Sequence, residues 1–163
     1  MDAQDWETRV AALWTAFDDH DPDDFVARVA ALAAELPEGD ARGLFERACA
    51  HDSTGHEAEA ERLYRAAMDA GLTGIRRRRA AIQYASTLRN LGRADESARI
   101  LFTERQAGSD ELDDAVTAFL ALALVDLGRE REAASLALGA LAPHLPRYQR
   151  SLANYAAAMQ DSE

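Results

Sequence analysis

The sequence carries one pattern three times: GHEAEAERLY at residues 55–64, GRADESARIL at 92–101 and GREREAASLA at 128–137. Each stretch begins with a glycine and has a small residue five positions later. Because the glycines stand at positions 55, 92 and 128, they are 37 and 36 residues apart. Self-similarity at a fixed spacing of this length is typical of repeat proteins. The sequence therefore predicts an array of three similar units.

Apolar residues recur at helical spacing within each of these units. The helix that follows Gly55, for example, has Ala60, Leu63, Tyr64 and Ala67 at positions i, i+3, i+4 and i+7. No segment sustains the strict alternation of a half-buried strand. The sequence therefore predicts an all-α protein with about nine helices.

The helix ends are predicted from capping residues. The first helix covers about residues 4–18, and the second begins at Pro22 with Asp21 as its cap. Asp40 caps the third helix, and the ninth begins at Pro146. The apolar stripes of the first and ninth helices are expected to be buried and comprise Val10, Leu13, Trp14, Phe17 and Tyr148, Leu152, Tyr155, Met159.

The repeated pattern resembles the tetratricopeptide repeat family, whose unit is a helix-turn-helix with a glycine turn and small residues in its second helix. The resemblance implies one domain over residues 1–163, an alpha-alpha superhelix (a right-handed helical-hairpin solenoid). Residues 40–140 form three repeats, 1–38 a degenerate repeat or N-terminal cap, and 144–161 a C-terminal capping helix. The small residues expected where paired helices cross most closely are Ala48, Ala85 and Ala121 in the first helices and Ala60, Ser97 and Ala133 in the second.

Composition and charge exclude several classes of partner and location. A formal net charge of -11 disfavours nucleic acid and anionic membranes, because both repel an acidic protein. The single cysteine, Cys49, excludes an intramolecular disulfide and fits a reducing compartment. The N-terminal sequence lacks the pattern of a secretory signal, and no uncharged stretch reaches the ~20 residues of a membrane span. A cytoplasmic protein is expected, and the use of arginine without lysine indicates a bacterial, high-GC coding sequence.

Catalytic and metal-binding patterns are weak. The four histidines are scattered, and no pair has the i, i+4 spacing of a metalloprotease motif. Cys49 and His51 are two residues apart on a helix, so their side chains point away from each other. Residues 18–24 hold five carboxylates but lack the glycine and the terminal glutamate of an EF-hand loop. We therefore predict no enzyme activity, no cofactor and no bound metal.

A polar stripe and an arginine run mark the fifth helix. Arg76 to Arg79 stand at its start, where cations oppose the helix dipole. Either acids such as Asp69 pair with them or they meet an anionic partner. In the family that the repeat resembles, the first helices of each unit line a concave groove that binds a peptide. The resemblance makes these residues groove candidates: Arg42, Arg79, Gln83, Ser86, Arg89 and Asn90, with Cys49 at a matching position.

The seventh helix is apolar on all sides over residues 115–125, and such helices are usually buried on all sides. Its groove-side residues include Phe119, Leu122 and Val125. Either the ninth helix or a neighbouring repeat covers them, or a second copy of the chain does. The leading hypothesis for function is a non-enzymatic module that binds a protein or peptide in the groove. The alternatives are a homodimeric assembly element that uses the seventh helix and a sensor of a small ligand held near Phe119.

Overall fold

The computed structural model describes residues 3–160, and this part of the chain contains nine α-helices and no strand. The all-α prediction is therefore confirmed. Two short 3₁₀ turns lie at Phe17–Asp19 and Ala142–His144. The helices are α1 (Ala3–Thr15), α2 (Pro22–Ala33), α3 (Ala41–Ser53), α4 (Glu57–Asp69), α5 (Gly74–Asn90), α6 (Ala94–Gln106), α7 (Asp113–Asp126), α8 (Glu130–Leu141) and α9 (Gln149–Ala158).

The three repeated glycines end α3, α5 and α7 in the same way. Gly55, Gly92 and Gly128 have φ values of 79°, 77° and 71°, in the left-handed region that favours glycine. The residue after each glycine donates its backbone N–H to the carbonyl five residues earlier, over 2.8, 2.9 and 2.8 Å. This is the hydrogen bond of a Schellman cap. The predicted glycine turns are therefore confirmed, and each joins the two helices of one hairpin.

The two predicted aspartate caps have different outcomes. The side chain of Asp40 accepts a hydrogen bond from the backbone N–H of Arg42, as predicted for the start of α3. Asp21 occupies the capping position of α2, but its side chain makes no capping hydrogen bond. Residues 21–24 are all exposed, so water can satisfy the free N–H groups of this first turn. The prediction of a side-chain cap at Asp21 is wrong.

The chain divides into two compact units at position 80, within α5. In the first unit, α2 packs against α3 and α3 against α4, around the fully buried side chains of Trp6, Phe25, Phe45 and Tyr64. The predicted stripe of the first helix omits Trp6, although its indole is fully buried and donates Nε1–H to the Leu32 carbonyl over 2.8 Å. Its other members are placed correctly, with Val10 buried and the remaining three half-buried.

In the second unit, α7 packs against α6 and α8, and α8 packs against α9. Leu101, Val116, Leu120 and Leu124 are fully buried in its core. The predicted close-approach residues of both units are all buried, as small residues at helix crossings should be. They are Ala48 and Ala60 in the first unit and Ala85, Ser97, Ala121 and Ala133 in the second.

The ninth helix differs from its prediction in both its start and its buried face. It begins at Gln149 rather than Pro146, after Tyr148, which has a left-handed φ of 68°. Tyr148 and Tyr155 are 75% and 71% exposed, so the expected burial of their stripe is wrong. The helix instead buries Ala156, because a small residue lets its backbone approach α8. The Ser135 hydroxyl donates to the Ala156 carbonyl over 2.7 Å at this contact.

Candidate functional site

The first arginine of the run at the start of α5 forms internal ion pairs. Within the first unit, Arg76 donates Nη1–H to Glu7 over 2.9 Å and Nε–H to Glu46 over 3.3 Å. Glu46 is only 4% exposed and also accepts a hydrogen bond of 2.8 Å from Nε1 of Trp14. The bond to Glu7 is the main cause that raises the pKa of Arg76 above its ordinary value. Arg76 therefore joins α1, α3 and α5, and Asp69 was the wrong partner to predict for it.

Arg42, the groove candidate on α3, already holds a carboxylate. Its Nε and Nη2 groups donate to the two oxygens of Asp40 over 3.1 and 2.9 Å. The side-chain bonds from Arg42 lower the pKa of Asp40 below its ordinary value. The guanidinium also lies 5.6 Å from the centre of the Trp6 ring. The positive charge of Arg42 is thus largely compensated within the chain.

Arg79 is the arginine of the run that is available to a partner. Its side chain is exposed, and its guanidinium lies 5.3 Å from the centre of the Phe45 ring. No carboxylate among residues 3–160 forms an ion pair with it. Contact with an aromatic ring holds a guanidinium in place while leaving its N–H edge free to donate. Arg79 is therefore an oriented and uncompensated cation at the surface of the first unit.

Cys49, the other groove candidate on α3, is buried instead. Its side chain is 2% exposed, and burial, followed by the charge of Glu46, raises the pKa of the thiol to about 12. The thiolate that reacts with electrophiles or binds metals is then absent near neutral pH. Because Ala48, Cys49 and Ala50 are all buried, α3 is more enclosed here than a half-exposed first helix would be. The placement of Cys49 on an exposed face is wrong.

The remaining groove candidates lie in the second unit, on the last turns of α5. Gln83 and Ser86 are half-buried, and Asn90 is exposed. Arg89 forms an ion pair with Asp126 at the end of α7, with 2.6 Å between Nε and Oδ2. This pair places the ends of α5 and α7 side by side. The exposed amide of Asn90 follows this ion pair directly in the sequence, at the last residue of α5.

The apolar residues of α7 belong to the same unit, and three of them, Ala118, Leu122 and Val125, are exposed. Leu122 and Val125 are 44% and 47% exposed, whereas Phe119 is half-buried against the core of the unit. The prediction that α9 or a neighbouring repeat covers this face is wrong for Leu122 and Val125. The ninth helix packs against α8 and leaves these two side chains exposed. The second unit thus presents a surface that is polar on α5 and aliphatic on α7.

The two histidines at the Gly55 turn form a contact that the sequence did not indicate. The rings of His51 and His56 are 5.7 Å apart at nearly a right angle. Burial is the main cause that lowers the pKa of His51 below 6.5, and the charges of His56, Arg47 and Arg62 add to it. Within residues 3–160, no cluster of three or more histidine, cysteine, aspartate or glutamate side chains is arranged to bind a metal. The histidine contact bears on stability, because His51 is half-buried and its pKa is lowered.

We expect this pair to make the protein less stable as the pH falls below about 6.5. The pKa of His51 is lower in the folded protein than in the unfolded chain, so the unfolded chain binds a proton more readily as the pH falls. The stabilisation that is present above pH 6.5 is therefore lost as the pH falls through the pKa of His51 in the folded protein. Urea unfolding of His51→Gln between pH 7.5 and 5.5 should show a weaker pH dependence than the wild type. His144→Gln, in the second unit, is the control, and an equal effect of both variants would contradict this assignment.

Three helix pairs, each joined by the same kind of glycine turn, define a helical-repeat protein. A family model described as "Tetratrico peptide repeat" matches residues 41–159, so the chain belongs to the tetratricopeptide repeat family. Comparison with curated proteins and with solved structures gave no match. Members of this family are in general non-enzymatic scaffolds that mediate protein–protein interactions. Among the described helices, none combines the length and apolar character needed to cross a bilayer.

Proposed function

We propose that this chain is a non-enzymatic interaction module that binds a segment of a partner protein along the first helices of its repeats. The proposed surface retains the candidates identified from the sequence. They are Arg42 and Arg79 in the first unit and Gln83, Ser86, Arg89 and Asn90 in the second, now joined by Leu122 and Val125.

The observation that carries this proposal is the exposed pair Leu122 and Val125 beside the polar end of α5 in the second unit. Aliphatic side chains at 44% and 47% exposure bury further apolar area when a partner covers them. Asn90 supplies both a donor and an acceptor, which are the groups needed to pair with the backbone of an extended peptide. A surface of this mixed character suits a peptide with apolar side chains on one side and free backbone groups on the other.

In the first unit, the charge of Arg79 adds a preference for an acidic segment of a partner protein. Arg42 is compensated by Asp40, whereas Arg79 is exposed and forms no ion pair with any residue in the range 3–160. A partner carboxylate could accept two parallel hydrogen bonds from the guanidinium of Arg79. The contact with Phe45 reduces the side-chain freedom that this bond would otherwise cost.

A display selection of random peptides against the wild-type chain, followed by affinity measurements on variants, tests this proposal. We expect Asn90→Ala and Leu122→Asp each to weaken the selected peptides about tenfold, or about 1.4 kcal/mol. Arg79→Glu should weaken acidic peptides by a similar factor because it reverses a charge that no carboxylate among residues 3–160 compensates. Affinities unchanged in both Arg79→Glu and Asn90→Ala would remove the proposed groove.

Two control variants separate local effects from changes in overall charge. Arg65→Glu makes the same charge change as Arg79→Glu, but at an exposed residue of α4, the second helix of its hairpin. Arg99→Glu is the corresponding change at an exposed residue of α6. Both controls should bind the selected peptides as the wild type does. Equal losses in Arg65→Glu and Arg79→Glu would show that only the net charge matters.

The exposed face of α7 also supports the alternative in which a second copy of the chain covers Leu122 and Val125. Light scattering at tens of micromolar tests this form, because a strict monomer would exclude it. A small-ligand sensor requires a closed apolar pocket at this face. The exposure of Leu122 and Val125 shows an open face, which gives that alternative no support.

A further inference from the structure

The turn between α8 and α9 carries an exposed tyrosine in a strained backbone conformation. Tyr148 has φ and ψ angles of 68° and 14°, in the left-handed region. This region is costly for a bulky side chain, whereas glycine adopts it freely. The side chain of Tyr148 is 75% exposed, so burial of its ring in the described chain does not offset this cost. Strained residues of this kind cluster at binding and catalytic sites.

Hydrogen bonds from the next residue hold this turn in place. The side-chain Nε2 group of Gln149 donates to the carbonyls of Pro143 and Leu145, over 2.9 Å in each case. The backbone N–H of Leu145 donates to the Ala142 carbonyl over 3.3 Å. These bonds join the start of α9 to the 3₁₀ turn that follows α8. We call residues 141–150 the α8–α9 corner, and its backbone is ordered before any partner binds.

The α8–α9 corner carries positive charge, although the chain has a net charge of -11. Arg147 and Arg150 stand on either side of Tyr148 in the sequence, and both are exposed. Neither arginine forms an ion pair with a carboxylate of the described chain. Residues 133–160 contain no aspartate or glutamate. The two positive charges of the corner are therefore uncompensated within the part of the chain that the structure describes.

Two further side chains define what the α8–α9 corner can bind. Leu141, the last residue of α8, is 48% exposed. Asp114 contacts the corner through His144, with 2.8 Å between its Oδ2 and the Nε2 of His144. Arginine and tyrosine are among the residue types that contribute most to the binding energy of protein interfaces. The corner therefore combines two cations, an aromatic ring and an aliphatic side chain.

The charge of the α8–α9 corner selects the kind of partner. Each guanidinium can donate two parallel hydrogen bonds to a carboxylate, and the exposed ring can cover an apolar side chain. Nucleic acid and anionic membranes extend beyond the ~8 Å over which charges act at physiological salt. They are therefore repelled by the carboxylates of the rest of the chain, whereas a short acidic segment contacts the corner alone.

We propose that the α8–α9 corner is a docking site for a short acidic segment of a partner protein. Arg147 and Arg150 bind carboxylates of this segment, and Tyr148 covers one of its apolar side chains. The ordered turn lowers the entropy that binding costs. The residues of the proposed peptide-binding surface lie on α3, α5 and α7, so this site is separate from that surface and does not depend on it.

Two pools of short synthetic peptides test the site by nuclear magnetic resonance of the labelled protein. The acidic pool is built from aspartate, glutamate, leucine, phenylalanine and glycine, and the neutral pool has asparagine and glutamine in place of the two acids. The acidic pool at about 1 mM should shift the backbone signals of residues 147–150, and the neutral pool should shift them much less. No shift with the acidic pool, or equal shifts with both pools, would overturn the proposal.

Charge-reversal variants show whether the two arginines bind the peptide. Arg147→Glu combined with Arg150→Glu should weaken an acidic peptide from the pool at least about tenfold. Arg65→Glu combined with Arg99→Glu makes the same change in net charge at exposed residues of α4 and α6, and should weaken it less than about twofold. Equal losses in the two double variants would overturn the proposal, because net charge alone would then explain binding.

Tyr148→Gly separates binding from folding. Glycine adopts the left-handed conformation without cost, so the melting temperature should not fall. The affinity for the acidic peptide should nevertheless fall at least about fivefold, because the ring is lost. An unchanged affinity would remove Tyr148 from the site.

Further probes distinguish this site from other partners and from the proposed peptide-binding surface. A thymidine oligonucleotide and vesicles containing phosphatidylserine should bind more weakly than the acidic peptide. Tighter binding of either polyanion, lost when Arg147 and Arg150 are both replaced by glutamate, would overturn the proposal in favour of that polyanion. Leu122→Asp should leave binding at the corner unchanged. An acidic peptide that is lost in Leu122→Asp but retained in the double variant would place its site on α7 and overturn the proposal.

Discussion

Replacing Trp6 by alanine is expected to lower the free energy of unfolding by about 3–5 kcal/mol, the range for a large aromatic side chain removed from a core. The indole is fully buried and donates a hydrogen bond to the Leu32 carbonyl. The guanidinium groups of Arg42 and Arg76 lie 5.6 and 5.9 Å from its ring centre. Its removal leaves a cavity, takes one of two hydrogen bonds from the Leu32 carbonyl and leaves two arginines without their aromatic neighbour. Urea unfolding followed by circular dichroism measures the loss.

Two further variants separate the contributions of the indole. Trp6→Phe keeps most of the apolar area but removes the N–H group, so about 0.5–1.5 kcal/mol should be lost with this hydrogen bond, since the Leu32 carbonyl keeps its bond from the Glu35 N–H. Tyr155→Ala removes a large aromatic residue that is 71% exposed, and its effect on unfolding should stay within about 0.5 kcal/mol. A loss below about 1 kcal/mol in Trp6→Ala would contradict the assignment of Trp6 to the core.

Replacing Glu46 by alanine is expected to lower the free energy of unfolding by about 3 kcal/mol. Its carboxylate is almost fully buried and serves both Arg76 and the indole N–H of Trp14. Removal of one member of a buried ion pair typically costs about 3–5 kcal/mol, because the remaining charge is left without its partner. We expect the lower end of this range, since Arg76 is 24% exposed and keeps its bond to Glu7.

A double-mutant cycle and an exposed control pair make this prediction specific. Glu46→Ala and Arg76→Met should interact in the cycle, with the double variant more stable than the sum of the single losses implies. Glu96→Ala breaks the exposed pair with Arg93, whose side chains are 37% and 39% exposed, and should cost no more than about 1 kcal/mol. Equal losses in Glu46→Ala and Glu96→Ala would show that burial of Glu46 does not matter.

The repeats could be predicted because their signals are local. The glycines at positions 55, 92 and 128 each supply the left-handed conformation that ends a helix within two residues of themselves. Apolar residues at a spacing of about 3.6 mark the apolar side of a helix, and the small residues at the helix crossings lie on that side. The capping positions at Asp21 and Asp40 were also visible, but only Asp40 forms the side-chain bond.

The candidate site could be predicted only in part, because its character depends on partners distant in sequence. Arg76 pairs with Glu7, 69 residues away, and no local signal links the two. Trp6 stands four residues before Val10, in line with the apolar stripe of its own helix, so helical periodicity could have found it. Arg79 stood in the same run as Arg76, and the structure distinguishes the two by their contacts, because Arg76 pairs with Glu7 and Glu46 whereas Arg79 lies over the Phe45 ring.

By itself, the sequence determined the helices and their turns, because these depend on hydrogen bonds and dihedral angles within a few residues. It also determined the repeat and the family, because both follow from the spacing of those helices and turns. The tertiary structure determined which apolar stripes are covered. Periodicity shows that a helix has an apolar side, whereas burial depends on whether another element reaches that side. Periodicity marks apolar residues on both α7 and α9, yet Leu122, Val125 and Tyr155 are exposed whereas Phe119 and Leu152 are half-buried. The surface proposed for binding follows from this difference.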